Sequence, residues 1–323
     1  MNTDTPLPPD EPAAPNPPEG AIVDYYLRSA ASGPVVIEIS GADGKLVRRY
    51  SSTDEVYKPD PATAPVPLYW YRALSALPTS AGMHRVTWDL HYQPLDALDP
   101  NRPGRIGGPN LPIAAIGHNT IASPSTPRVN PGVFTVKLIV NGKSYTQTMT
   151  VKQDPRVRTP ALSMQQVYTL SKGSYYAAVD AQQAAQHARS LRDQIAALKA
   201  SATGAAADAL TTLDRKLESL SPTPDPNAAG RGGRGGRGGG GGGRFGGPAA
   251  PFDSLAGASA SLAGVMNLLQ GADVRPTTVQ IKAIAAARTS ASAVMAKWNA
   301  IRTVDLPAIN AKLTAAGLAT LKL

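Results

Sequence analysis

The chain has 323 residues, enough for about two domains, and a formal net charge of +9. Cysteine is absent, which excludes disulfides and thiolate metal sites. No apolar run approaches the ~20 residues of a membrane span, and the N-terminus lacks the positive and apolar regions of a secretory signal. Four of the arginines lie in one glycine-rich tract, so the mildly basic remainder does not favour a nucleic-acid surface.

The first 18 residues are rich in proline, aspartate and glutamate, which is typical of a flexible or polyproline-like leader. Strand patterns begin after Gly20 with the runs AIVDYYLRS, PVVIEISG and KLVRRYS. The second and third runs flank Asp43-Gly44, a turn dipeptide, and we therefore predict a hairpin there.

Residues 52–81 show little periodicity but contain the aromatic cluster LYWY at residues 68–71. The favoured interpretation is that this cluster anchors a long loop onto the sheet. A binding platform for a sugar or a peptide is the alternative.

The run MHRVTWDLHY at residues 83–92 alternates like a strand, with Val86, Trp88, Leu90 and Tyr92 on one predicted face. Asp89 and His91 share the other face. Their spacing could support a metal ion or a proton relay. A solvated face is favoured, because Arg85 and Thr87 lie beside them and no second histidine is near in sequence.

Residues 131–156 carry the clearest strand signal in the chain. Two extended runs flank Asn141-Gly142, which suits a two-residue type I′ turn because both central residues need positive φ. This loop length predicts that Val140 faces Lys143 and that an apolar face runs through both strands. The remaining predicted pairs on that face are Leu138 with Tyr145, Val136 with Gln147 and Phe134 with Met149.

After Arg156 the pattern changes to helices. Thr159-Pro160 is typical of a helix start. Apolar or small residues then recur at steps of three and four for about 40 residues, which predicts a long helix with alanine at its middle. Shorter helices are predicted around Leu210–Leu220, Leu255–Leu269, Ile284–Ile301 and Pro307–Ala316.

No sequence motif identifies an active site. There is no Gly-x-Ser-x-Gly elbow, no convincing pair of glycosidase carboxylates, and Gly104–Gly108 lacks the strand-to-helix context of a phosphate-binding loop. His84, His118 and His187 are scattered, which is typical of ordinary surface or loop residues.

The glycine-rich tract at residues 230–247 resembles an RGG box, in which arginines contact phosphates and stack on bases. A flexible linker between helices is favoured, because a single aromatic is interleaved. The candidate nucleic-acid residues of the tract are Arg231, Arg234, Arg237, Arg244 and Phe245.

Four ordered blocks carry a family resemblance: PPEGAIVDYYL, VVIEISGADGKLVRRYSS, RVTWDLHY and PGVFTVKLIVNGKSYTQTMTVKQDPRV. Over residues 17–200 they resemble the region that follows the β-propeller in large bacterial sortilin-like, BNR-repeat proteins, often labelled glycosyl hydrolase. The strand elements are similar to the immunoglobulin-like domain of the flagellar hook-capping protein. Propeller repeats of about 40–50 residues are not found, so the resemblance transfers no propeller activity to this chain. It implies an extracytoplasmic parent, of which this chain is a C-terminal fragment or a product with a mis-assigned start at Met1.

We therefore predict an α+β multidomain protein. Residues 1–18 form a disordered leader, residues 19–156 an antiparallel immunoglobulin-like β-sandwich, and residues 157–323 an antiparallel α-helical bundle interrupted by a disordered Gly/Arg-rich linker at 221–250. No catalytic, cofactor-binding or metal-binding residue is predicted.

The predicted function is a non-catalytic accessory or interaction module, the C-terminal part of a larger exported β-propeller protein in the periplasm or outside the cell. Its expected partner is protein, either its own upstream propeller or another subunit. One alternative is the C-terminal portion of a carbohydrate-active glycoside hydrolase whose catalytic residues lie upstream. Another is a nucleic-acid binder that acts through the RGG-like tract.

Overall fold

The computed structural model describes residues 20–54, 75–95, 126–222 and 253–323. Within these ranges six β-strands precede five α-helices, and every strand pair is antiparallel. The strands are β1 (Ala21–Leu27), β2 (Val36–Ser40), β3 (Leu46–Ser51), β4 (Gly82–Trp88), β5 (Gly132–Val140) and β6 (Lys143–Val151). The helices are α1 (Ala161–Lys199), α2 (Gly204–Leu220), α3 (Leu255–Leu269), α4 (Thr278–Ala300) and α5 (Leu306–Ala315).

The contacts divide the chain into two compact units. The strand unit contains the described residues up to Tyr168 together with Asp273–Arg275, and the helical unit contains the rest. The start of α1 therefore belongs with the strands, whereas the sequence places the domain boundary after residue 156. The predicted leader and nearly all of the predicted Gly/Arg-rich linker lie outside the described residues.

The strand unit contains two sheets whose side chains share one buried interior. β1 pairs with β4, and the second sheet has the order β3-β2-β5-β6. Trp88 of the first sheet is fully buried and packs edge-on against Phe134 of the second, with ring centroids 5.3 Å apart. The other large apolar side chains buried in these strands are Tyr25, Leu27, Ile37, Ile39, Val47 and Val140.

The predicted β5–β6 hairpin is confirmed. Asn141 and Gly142 have φ of 48° and 73°, as a type I′ turn requires, and Val140 pairs with Lys143. All four predicted pairs on the apolar face are observed, from Val140 with Lys143 to Phe134 with Met149. The turn dipeptide therefore fixes the register of nine paired positions on each strand.

The predicted β2–β3 hairpin also forms, but its turn is longer than the dipeptide indicated. The amide of Gly41 donates to the carbonyl of Lys45, so three residues lie between them, and Gly44 has φ of 72°. A register shift between Ile39 and Ser40 accompanies this loop. A three-residue loop with a left-handed glycine and a bulge is the next most common hairpin connection after the two-residue turns.

The predicted strand at residues 83–92 ends early. β4 stops at Trp88, and Leu90 has φ of 62°, which no strand residue adopts. Asp89 and His91 therefore do not share a strand face, and the prediction that they do is wrong.

Gly20 precedes β1 directly, at a position where no other residue fits. Its φ is 125°, and a Cβ built there would lie 2.1 Å from the carbonyl oxygen of Trp88. Because backbone atoms cannot move aside as a flexible side chain can, the close approach of β1 to the end of β4 depends on this glycine.

The helical unit buries the leucines whose spacing predicted its helices. Leu210, Leu213, Leu217 and Leu220 of α2 are at most 2% exposed. They pack in one core with residues of α1, α4 and α5, including Leu191, Trp298 and Leu313. Along α1 the residues at the core are mostly alanine, which lets neighbouring helices approach closely. No helix within the described ranges is both long and apolar enough for a membrane span.

A π-helical turn, Ile301–Asp305, joins α4 to α5 without a break in the chain's helical path. Pro307 lies in the first turn of α5. A proline is tolerated there because the N–H groups of a helix's first turn are the ones that usually lack an intrahelical acceptor. The two helices predicted at Ile284–Ile301 and Pro307–Ala316 both form, and the wider π-helical turn connects them.

An ion cluster links α1 and α2 beside the core. Asp214 accepts hydrogen bonds from Arg192 (3.1 Å) and Lys199 (2.5 Å), and Arg192 also contacts Glu218. Burial raises the pKa of Asp214, but the hydrogen bonds from Lys199 and Arg192 outweigh it, so the pKa is lowered.

Candidate interaction groove

An open groove of about 770 Å³ lies within the strand unit, between β1 and the face of β5 and β6. Its size falls in the range of ligand sites in proteins. The groove is lined by residues 22–29 on one side, and on the other by Ile37, Val136, Leu138, Val140, Asn141, Tyr145, Gln147, Thr148 and Met149.

One wall of the groove is the backbone edge of β1. Eight consecutive residues line this wall. Because alternate side chains of a strand point to opposite faces, an unbroken run of lining residues indicates that the backbone itself forms the wall. Among the described residues β1 pairs only with β4, so its second edge offers unpaired N–H and C=O groups. This wall can therefore form main-chain hydrogen bonds.

The floor of the groove is the apolar face of the β5–β6 hairpin. Phe134 and Val140 at its two ends are buried, but Val136, Leu138 and Met149 are only half-buried. Tyr145 is 55% exposed. The middle of this face is therefore left uncovered by the described residues.

The charges along β1 are largely neutralised. Both carboxylate oxygens of Asp24 accept hydrogen bonds from Arg85 of β4, at 2.8 Å each. These hydrogen bonds lower the pKa of Asp24, and the charge of Arg85 adds to the effect. Arg28, just after β1, is the other charged residue that lines the groove.

The turn of the β5–β6 hairpin closes one end of the groove. The side-chain oxygen of Asn141 accepts hydrogen bonds from the backbone N–H and the hydroxyl of Ser32, both at 3.0 Å. The turn is thus tied to the connection between β1 and β2.

Asp89 and His91, the candidate relay of the sequence, form a structural corner instead. The carboxylate of Asp89 accepts from the backbone N–H of His91 (3.0 Å), and the imidazole Nδ1 donates to the backbone carbonyl of Asp89 (2.8 Å). The two side chains therefore do not share a proton. Burial lowers the pKa of His91, which keeps the imidazole neutral at pH 7.

Arg48 holds this corner against β3. Its Nη1 donates to the carbonyl of Tyr92 (2.8 Å), its Nη2 lies 3.6 Å from Asp89, and its guanidinium lies 4.9 Å from the ring centre of Tyr50. Burial raises the pKa of Tyr50 to about 12, so the phenol stays protonated. These contacts fix the chain after β4.

The remaining candidates of the sequence do not converge. His84 bonds to the carbonyl of Ser80 at 2.8 Å, and His187 stacks on Trp298 at 6.4 Å between ring centres. Within the described ranges, no three His, Asp or Glu side chains come together as a metal site requires. Candidates outside the described residues are the aromatic cluster 68–71, Gly104–Gly108, His118 and the arginines and Phe245 of the tract 230–247.

Sequence reasoning missed the groove because it assumed that a strand's apolar face is covered. Gln147 at the centre of that face was the available signal, since a fully buried face rarely carries an amide without a partner. Comparison with protein-family models, curated proteins and solved structures gave no match for this chain.

Proposed function

We propose that this chain is a non-catalytic interaction module whose groove binds an extended segment of a partner protein. The observation that carries the proposal is the unpaired edge of β1 beside the half-exposed apolar floor of β5 and β6. An edge strand supplies main-chain hydrogen bonds, and a floor of alternate side chains supplies specificity, which together define recognition by strand addition.

The dimensions of the groove fit a strand. β1 has seven residues, so a segment of about seven residues would pair along its full length at about 4.8 Å. Every second side chain of that segment would point toward the floor. Val136, Leu138 and Met149 are apolar, so we expect apolar side chains at those alternate positions.

The charges of the groove add one further preference. Asp24 is already paired with Arg85, whereas Arg28 lines the end of the groove near the β1–β2 connection. An acidic side chain at the matching end of the partner segment would face Arg28. An alternating apolar segment with one terminal acidic residue is therefore the expected ligand.

The architecture that we propose around this groove is an immunoglobulin-like sandwich, followed by an antiparallel helical bundle. The Trp88–Phe134 contact between the two sheets supports the first, and the common core of α1, α2, α4 and α5 supports the second. The strand blocks that resemble the region after the propeller of sortilin-like, BNR-repeat proteins support an extracytoplasmic parent. In that setting the partner segment comes from the upstream propeller or from another subunit.

The test is selection from a displayed library of random peptides on the purified full chain. We expect enriched peptides with apolar residues at every second position, and we expect Leu138→Lys on the floor to weaken their binding at least about tenfold. Val133→Lys is the matched control, because Val133 is on the same strand but does not line the groove. Equal loss in both variants, or enriched peptides without alternation, contradicts the proposal.

A second measurement tests the non-catalytic part of the proposal. The purified chain is incubated with a panel of aryl glycosides, and release of the aryl group is followed by absorbance. We expect no release above that of a heat-denatured sample. Cleavage that is lost on denaturation contradicts the proposal and supports the glycoside hydrolase alternative.

A further inference from the structure

The outer edge of β6 is long, regular and nearly uncharged. β6 has nine residues, its pairing with β5 shows no register shift, and its sequence KSYTQTMTV contains no proline. Its one charged residue, Lys143, is at the first position. Among the described residues no strand pairs with its second edge.

The opposite edge of the same sheet is different. β3 has six residues, a register shift interrupts its pairing with β2, and two consecutive arginines, Arg48 and Arg49, lie at its centre. Short length, bulges and charge are the usual protections of a sheet edge against other strands. β3 carries all three, and β6 carries none of them along its central seven positions.

The hairpin determines which groups β6 presents. In a hairpin with a two-residue turn the pair next to the turn exchanges both hydrogen bonds, and the pattern then alternates. Lys143, Tyr145, Gln147, Met149 and Val151 therefore bond to β5. The outward N–H and C=O groups belong to Ser144, Thr146, Thr148 and Thr150.

We infer that β6 is the site at which a second copy of this chain pairs, antiparallel and centred on Gln147. In this register all nine residues of β6 pair with the nine residues of the second copy, and the outward groups of Thr146 lie opposite those of Thr148 in the second copy. Any shifted register leaves part of the strand unpaired.

The side chains are complementary in this register. Tyr145 faces Met149 of the second copy, a favourable sulfur–aromatic pair, and Thr146 faces Thr148. Lys143 faces Val151, so no like charges meet across the twofold axis. The pairing extends the four-stranded sheet into a continuous eight-stranded sheet. It uses the backbone edge of β6, whereas the groove is bounded by the backbone edge of β1, although side chains of β6 also line the groove floor.

The interface is only one strand wide, so we expect a weak dimer in the micromolar range. Sedimentation equilibrium of the full chain should give a mass that rises with concentration from 33.5 kDa toward twice that value. A mass that stays at 33.5 kDa up to the solubility limit overturns the inference.

Cysteine substitution tests the register, and the chain has no native cysteine to interfere. Gln147 would face itself in a non-hydrogen-bonded pair with Cα atoms about 4.5 Å apart, within reach of a disulfide. We expect Gln147→Cys to cross-link on mild oxidation. Tyr145→Cys is the matched control, because its two copies would lie about 14 Å apart.

An equimolar mixture of Tyr145→Cys and Met149→Cys chains should cross-link although neither does so alone. Cross-linking of Gln147→Cys no faster than that of Tyr145→Cys overturns the register and with it the inference.

Charge provides a second, reversible test. T146K/T148K places like charges opposite each other twice, and we expect the dimer Kd to rise at least about tenfold. Mixing this variant with T146E/T148E should restore association. Val133→Lys adds one positive charge on β5, one strand inside the edge, and should leave the Kd unchanged. Failure of the mixture to associate, or an equal effect of Val133→Lys, contradicts the inference.

Discussion

In the helical unit Leu191, Leu213 and Leu262 are fully buried, whereas in the strand unit Tyr145 and Tyr26 are 55% and 65% exposed. Helices α1, α2, α4 and α5 pack around a common core of buried apolar side chains, mostly leucine and alanine. Within the described residues the strands enclose Trp88 and Phe134, but the middle of the β5–β6 face is only half-buried and no strand pairs with the outer edges of β1 and β6.

This difference is the basis for the separate roles that we propose for the two units. Closed apolar packing supplies stability, because a buried leucine removes its whole side chain from water. Open apolar faces and unpaired edges cost stability in isolation and are retained where another molecule covers them. We therefore propose that recognition takes place on the strand unit, and each prediction below tests the contrast between the two units.

The largest effect is expected for Leu213→Ala in the helical core. Leu213 is 0% exposed, so the truncation loses its burial and leaves a cavity, at a cost of about 2–5 kcal/mol in the free energy of unfolding. Urea unfolding followed by circular dichroism measures this loss. Leu268→Ala is the control: its side chain is 58% exposed, and the expected loss is below about 0.5 kcal/mol. Similar losses in the two variants would contradict the closed-core interpretation.

Gly20→Ala should destabilise the strand unit through its backbone. The new Cβ would overlap the carbonyl of Trp88 at a positive φ, and we expect a loss of about 1–3 kcal/mol. Gly82→Ala separates the two causes, because Gly82 has a similar φ of 120° with open space around it. The melting temperature of Gly20→Ala should therefore fall further than that of Gly82→Ala. Equal decreases would show that strain alone, without the clash, determines the effect.

Asp214→Asn should change the pH dependence of the helical unit. The folded pKa of Asp214 is lowered, so its contribution is present above about pH 4 and is lost as the pH falls through the folded pKa. We expect a loss of about 1 kcal/mol or less at pH 7 that disappears in acid. Unfolding of wild type and variant across pH 2.5–7, by about half-unit steps, measures the difference. A difference that grows toward acid would contradict this assignment.

His91→Gln should act on the strand unit in a higher pH window. The folded pKa of His91 is lowered by burial, so the unfolded chain takes up the proton first as the pH falls below about 6.5. The wild-type unit then loses stability from about pH 6.5 down to the folded pKa, and the variant should not. Hydrogen exchange of β5 and α2 amides, corrected for intrinsic rates, separates the two units. Equal loss of protection in both units over this window would contradict the prediction.

The smallest effect is expected for Tyr145→Ala. The pattern of the hairpin assigns Tyr145 to the covered face, but its 55% exposure limits the expected loss to below about 1 kcal/mol. A loss as large as that of Leu213→Ala would mean that the β5–β6 face is closed in solution. The contrast between the two units would then fail.

The local structure of both units could be predicted from the sequence where short-range physics determines it. Asn141-Gly142 fixes the β5–β6 register, and the leucine spacing of α2 identifies its buried stripe. Alternation predicts Leu90 as a strand residue because the pattern continues past Trp88. Nothing in that pattern reveals a left-handed residue whose carbonyl accepts a long-range hydrogen bond from the Val129 N–H.

The candidate site could not be predicted, because it depends on what fails to cover an apolar face. Alternation alone predicts that Val136, Leu138 and Tyr145 are core residues. Only the placement of β1 relative to β5 and β6 shows the groove, and that placement is set by contacts distant in sequence, such as Trp88 with Phe134.

The Asn141-Gly142 turn has a chemical consequence for the lifetime of the protein. Asparagine followed by glycine is the dipeptide whose side-chain amide hydrolyses most readily, through attack of the glycine nitrogen on the amide carbon. Conversion to aspartate would keep an acceptor for Ser32, whose two hydrogen bonds hold the turn. Conversion to isoaspartate would add a backbone atom at the one position that fixes the alignment of β5 and β6. Asn141 is therefore both the residue that sets the turn of the β5–β6 hairpin and the residue whose chemical ageing would disrupt that hairpin.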